Sequence, residues 1–225
     1  MENNTNSTSK SKYISTNTLI LQMKIAFANA KLPNILPQLQ TLGYTEEKFN
    51  EYLEKINELE ELLQVQKKEY GEQYAETEKV NKKREEIDEI YKRHLAFCKI
   101  LFKGNVQAIS TLGLNIGRKN AYAAWFQQVN NFYGQLLNNS EFLEKVSTIN
   151  IQENDLKAQQ NALAELTQLK ENQKKEIGQA QKATEMRDEA FDKIYPIYTE
   201  FVSYAKILFQ NDQTLEALGI VVKNK

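Results

Sequence analysis

The chain has 225 residues, 26% charged and 41% hydrophobic, with 29 basic against 30 acidic residues and a formal net charge of -1. That length can bury a large core as one domain or two intimate halves, and the near-neutral balance excludes a global field that would draw in nucleic acid or an anionic membrane. With 8 glycines, 3 prolines and a preponderance of Glu, Lys, Gln, Ala and Leu, the composition excludes a strand-rich fold and calls for long helices.

In chain order, residues 1–16 are rich in Asn, Ser, Thr and Lys and read as a solvated, disordered tail. No apolar run behind a basic flank marks a secretory signal, and no stretch is long and apolar enough to span a bilayer. The glycosylation patterns at Asn3-Asn4-Thr5 and Asn138-Asn139-Ser140 are therefore read as coincidence. A helix is expected from Asn17 to about Lys31, with Leu19, Met23, Ala26, Phe27 and Ala30 on one face. Pro33 suits the first position of a short helix that ends at Gly43. Thr45 caps the next helix, whose positive end suits Glu46 and Glu47.

From Phe49 to Leu101 the apolar positions step by three or four without a break, and the same phase recurs from Leu156 to Leu208. This period predicts one long helix per half, about 55 residues or roughly 85 Å. The two stretches are copies. QKKEYG at 66–71 matches QKKEIG at 173–178, and KILF at 99–102 matches KILF at 206–209, an offset of about 107 that holds from Leu32 to Phe102. After one lost residue, Leu112-Gly113-Leu114 matches Leu218-Gly219-Ile220. A repeat this long is a duplicated half-domain, 17–114 and 115–225, intertwined in one domain with pseudo-two-fold symmetry.

Gly71 and Gly178 interrupt the two long stretches at matching points. A hairpin at each glycine would give a compact four-helix-type bundle. The seam keeps its phase through both, however, and no turn residues flank them. The preferred fold is therefore all-α, with long antiparallel coiled-coil-like helices and short helices packed at both ends. The glycines would then permit close approach where the helices cross. Pro196 should kink the second long helix. One head is expected to pack residues 17–42 against Tyr204, Ile207, Leu208 and Phe209. The other is expected to pack Tyr122, Trp125, Phe126, Phe132 and Tyr133 against Phe97, Ile100, Leu101 and Phe102.

The inventory for catalysis is poor. His94 is the single histidine and reads as a packing residue beside the seam. Cys98 is the single cysteine, which excludes an internal disulfide and fits a reducing, cytoplasmic setting. No zinc or di-iron ligand set can be assembled, so no metal and no cofactor are expected. Asn115 to Lys119 form a short basic loop that reads as a linker in preference to a phosphate contact. These features favour a non-enzymatic scaffold or adaptor that works through protein partners or self-association. Nucleic acid is excluded and membrane binding disfavoured. The candidate interaction and crossing surface is Gln66, Lys67, Lys68 and Gly71 with Gln173, Lys174, Lys175 and Gly178. The candidate pocket or core is Trp125, Phe126, Phe132 and Tyr133. The alternatives are a membrane-active helical protein and a small-ligand binder using that aromatic cluster.

Overall fold

A computed structural model describes residues 15–210 and 212–220; most of the tail expected over 1–16 lies outside the described residues, as does Asn3-Asn4-Thr5. Among the described residues there are eight helices and no strand. They are α1 (Thr16–Asn29), α2 (Leu36–Gln40), α3 (Glu46–Leu101), α4 (Val106–Thr111), α5 (Tyr122–Asn138), α6 (Ser140–Ser147), α7 (Glu153–Leu208) and α8 (Asp212–Ala217). Both α3 and α7 have 56 residues and run unbroken through Gly71 and Gly178, so neither half turns back at its glycine. The helix α7 also continues through Pro196.

The order of helices recurs along the chain at nearly the offset of the matching sequence blocks. The helices α3 and α7 begin and end 107 residues apart, and α4 and α8 follow 106 residues apart. Their ends carry the same backbone bonds. Tyr44 N–H donates to Leu39 C=O and Gly43 N–H to Gln40 C=O after α2; Ile151 to Val146 and Asn150 to Ser147 repeat this after α6. Gly43 has φ +80° and Asn150 has φ +61°, so the second copy places its left-handed residue with asparagine, the side chain that best tolerates that conformation. Gly113 and Gly219 close α4 and α8 in the same way, at φ +65° and +70°.

The chain divides into two compact units, each drawing on both sequence halves: 15–68 with 181–220, and 69–180. The first unit holds α1, α2, the start of α3, the end of α7, and α8. The second holds α5, α6, the start of α7, the end of α3, and α4. Each unit therefore has the same inventory of helices taken from opposite copies.

Each unit has its own core. In the first, Met23, Phe27, Ile35, Leu39 and Phe49 pack with Ile194, Phe201 and Phe209. The Phe201 ring meets those of Phe27, Tyr44 and Phe49 within 5.6 Å. In the second, Ile87, Tyr91, Cys98 and Phe102 pack with Trp125, Phe132, Tyr133, Phe142 and Leu163. At roughly 1.5–3 kcal/mol per buried large side chain, these clusters supply the main cohesion of each unit. The heads thus form as expected, but the facing residues need correction. Phe97, Ile100, Tyr204 and Ile207 are exposed, and the inward face belongs to Ile87, Tyr91, Cys98 and Phe102 and to Ile194, Phe201, Ala205 and Phe209. The short helix after Pro33 also starts later than expected, with Pro37 in its first turn.

The long helices run antiparallel within each unit. In the first, Phe49 meets Phe201 and Gln66 meets Thr184. In the second, Thr77 meets Gln173 and Lys83 pairs with Glu165. The expectation of close approach at the glycines is not met. Gly71 and Gly178 are exposed, and a Cβ built on either would meet nothing within 4 Å. They lie on the outer face of their helices and so loosen the backbone without aiding packing. Gly71→Ala and Gly178→Ala should therefore each stabilise the protein, by up to about 1 kcal/mol. Denaturant unfolding checks this, and a loss of stability in either variant would mean that the glycine packs against something.

Candidate interaction surfaces

The QKKE(Y/I)G blocks divide between two roles. Gln66 and Gln173 point across to the opposing helix. Gln66 Nε2 donates to Thr184 Oγ1 at 3.0 Å, and Gln173 Nε2 donates to Thr77 Oγ1 at 3.0 Å. Gln66 and Gln173 are repeat mates, and so are Thr77 and Thr184, so one bond is formed twice, once in each unit. Thr77 Oγ1 in turn donates to Gln73 C=O, which leaves its hydroxyl satisfied on both sides. Lys67, Lys68, Lys174 and Lys175 are exposed, as are Gly71 and Gly178. The glutamates of the two blocks, Glu69 and Glu176, converge with Glu72, their carboxylate oxygens within 4.8 Å of one another.

Of the aromatic cluster, Trp125, Phe132 and Tyr133 are core residues with no exposed surface. Phe126 is half-buried and stacks on Tyr122, and the two border an open cleft of about 250 Å³ with Lys170 and Lys174. The Lys170 ammonium lies 5.0 Å from the Tyr122 ring centre, and the Arg84 guanidinium 4.9 Å from that of Trp125.

Trp125 is held by a group that sequence reasoning missed. Asp88, 6% exposed, accepts from Trp125 Nε1 at 2.9 Å. It also accepts from Arg118 Nε at 3.0 Å and Arg118 Nη2 at 2.7 Å, and it pairs with Lys92 at 2.7 Å. The basic loop around Arg118 is thus a strut that ties the α4–α5 connection to α3. An aspartate between Ile87 and Tyr91 on a helix reads as a surface residue. The available signal was its place beside two seam positions, opposite a tryptophan that needs an acceptor. Burial alone would raise the Asp88 pKa, but the hydrogen bonds from Lys92, Arg118 and Trp125 outweigh it and hold the carboxyl below its ordinary value.

The groups best suited to nucleophilic or acid–base chemistry are muted. Burial pushes the Cys98 thiol up to about 12 and lowers the pKa of His94, whose Nδ1 lies 3.3 Å from Tyr133 Oη.

The most unusual surface is one written twice. Ile100 and Ile207, identical residues of the two KILF blocks, are 76% and 74% exposed. Each has an exposed aromatic neighbour one helical turn earlier, Phe97 and Tyr204. The residue before each left-handed helix end, Leu42 in the first unit and Ile149 in the second, is exposed as well. In the second unit Phe97, Ile100, Leu101 and Ile149 enclose an apolar cleft of about 220 Å³. In the first, Leu42 and Tyr204 border a more polar cleft of about 300 Å³ with Tyr44, Lys48, Tyr52 and Glu200. Among the described residues no helix is long and apolar enough to cross a membrane. No family model, curated protein or solved structure matches the chain.

The Asp88 network sets a pH dependence. A folded pKa below the unfolded one gives stability that is complete above the ordinary value of 3.8 and is lost as pH falls through the folded value. Asp88→Asn should cost about 2 kcal/mol near neutral pH. The gap between variant and native should then narrow below about pH 4. Urea midpoints of both proteins from neutral to acid pH measure it. A gap that stays constant down the acid limb would show that the Asp88 charge adds nothing.

Proposed function

We propose that the protein is a non-enzymatic helical adaptor that acts through protein–protein contacts, with one docking patch on each compact unit. The observation that carries this reading is the exposure of Ile100 and Ile207 at matched places in the two units. A large aliphatic side chain three-quarters in water contributes nothing to its own fold. Its recurrence in the four-residue identity KILF, beside an exposed aromatic each time, fits a binding surface carried in two copies. The buried Cys98 and muted His94 fit a protein with no acid–base or nucleophilic chemistry to perform. The exposed lysines of the QKKE(Y/I)G blocks add polar surface that a partner could use, while the glutamines in those blocks serve the fold.

Photo-crosslinking in cells expressing the chain tests the reading. A benzophenone side chain replaces Ile100 or Ile207, with exposed Glu58 as the control position. Protein adducts of discrete mass are expected at positions 100 and 207 and absent at 58. Ile100→Asp and Ile207→Asp should change stability by no more than about 0.5 kcal/mol, because neither side chain is buried. Absence of adducts at both positions, or equal labelling at 58, would contradict the adaptor role.

A further inference from the structure

The two patches share their apolar residues but differ in charge, and the difference lies in the sequence around the first KILF block. From Ile90 to Ser140 the chain has no acidic residue and six basic ones, Lys92, Arg93, Lys99, Lys103, Arg118 and Lys119. In a chain with 30 acidic residues in 225, a stretch of about fifty without one is a strong local bias. Lys92 and Arg118 are consumed by Asp88. Arg93, Lys99 and Lys103 are exposed, and the two lysines flank Ile100 in sequence. Lys99 also sits in the last turn of α3, where a cation complements the helix dipole. That role accounts for one charge and not for the missing acids.

Leu101 joins Phe97, Ile100 and Ile149 in lining the apolar cleft of this patch. No charged side chain lines the Phe97, Ile100, Leu101 and Ile149 cleft. Of the acids on neighbouring helices, Glu141 and Glu144 of α6 line a separate cleft with Lys145 and Thr148, and Asp155 in the first turn of α7 acts on His94. The patch around Ile207 is different: Lys206 is beside it, Lys48 and Glu200 both line the adjoining cleft, and Asp212 and Glu216 follow in sequence.

We infer that the patch formed by Phe97, Ile100, Leu101 and Ile149 receives an acidic amphipathic segment of a partner protein, its apolar side chain in the cleft and its carboxylates against Lys99 and Lys103. This rests on the adaptor reading and adds to it that the two patches are not equivalent. Charge complementarity selects the occupant: apolar burial supplies affinity, and an acidic rim on the partner supplies specificity and rate. The cleft favours an inserted side chain over a lipid surface, because a bilayer presents no such knob.

The test uses the full chain and three synthetic helical peptides that share Leu at i, i+3, i+4 and i+7. Their polar positions are Glu, Gln or Lys, and binding is read by fluorescence anisotropy. The Glu peptide should bind at least about tenfold more tightly than the Lys peptide. Lys99→Glu with Lys103→Glu should weaken the Glu peptide by about tenfold near 50 mM salt, with the loss shrinking near 500 mM as screening shortens. Ile100→Asp should abolish binding, whereas Ile207→Asp should leave it unchanged, and circular dichroism melts of all variants should overlay the native curve.

Equal binding of the Lys peptide, or equal losses from Ile100→Asp and Ile207→Asp, would overturn the inference. So would cosedimentation with phosphatidylserine-containing vesicles that requires Ile100 and displaces the Glu peptide; that result would assign the patch to an anionic membrane. Crosslinked adducts at positions 100 and 207 without preference for the Glu peptide would overturn the acidic partner and leave the adaptor standing. Absence of adducts at both positions would remove the adaptor reading itself.

Discussion

One side-chain bond, made twice, sets the register on which the structure depends. Buried apolar residues are absent from α3 between Leu59 and Val80 and from α7 between Leu166 and Ala180. Hydrophobic packing alone specifies alignment weakly there, because sliding a polar helix by a turn exposes little apolar surface. Gln66 and Thr77 lie in the gap of α3 and Gln173 in that of α7, and Gln66 bonds across to Thr184 and Gln173 to Thr77. A buried polar group is costly without its partner, so each pair penalises every alignment but one. With the register fixed, Phe49 meets Phe201 in one unit and Lys83 meets Glu165 in the other.

The exchange of helices follows from the same economy. A half-repeat alone has a short pair of helices, a long helix and a final short helix, and it buries its apolar faces only against the long helix of the other copy. Each compact unit therefore takes its first helices from one copy and its closing helices from the other. The second copy has changed where packing or backbone geometry allowed: Asn150 for Gly43, Phe201 for His94, Ala205 for Cys98. Asp88 has Tyr195 as its counterpart, so the ionic strut belongs to one unit. The KILF surface has kept Ile100 and Ile207 outward in both units, although that costs solubility and adds no packing. This is the reason we propose a binding role for it.

Much of this was legible in the sequence, and the gaps have physical causes. The unbroken three-four period declared the long helices, and the fixed offset matched the bounds of the second to those of the first. The matching of α1 with α5 was hidden, because the offset changes by one residue before α2 and α6. Met23, Phe27 and Ala30 there correspond to Val129, Tyr133 and Leu136, with no identity among them. The face of the KILF segments could not be chosen from periodicity, since Phe97, Cys98, Ile100, Leu101 and Phe102 form a nearly continuous apolar run that satisfies either phase. The glycines were misread because a residue that permits close approach also occurs where nothing approaches, and only coordinates distinguish the two. Asp88 was missed because its partners, Arg118 and Trp125, lie 30 and 37 residues away.

The register is the claim on which the compact units and their patches rest, and intramolecular crosslinking measures it directly. In a Cys98→Ala background, which copies the residue of the other half, paired cysteines at 66 and 184 or at 77 and 173 are treated with a short bis-maleimide. Efficient crosslinking within single chains at both pairs, and weak crosslinking when position 184 is exchanged for position 188 one turn away, is the predicted result. Crosslinking at 66 and 188 equal to that at 66 and 184, or linkage only between chains, would contradict the account.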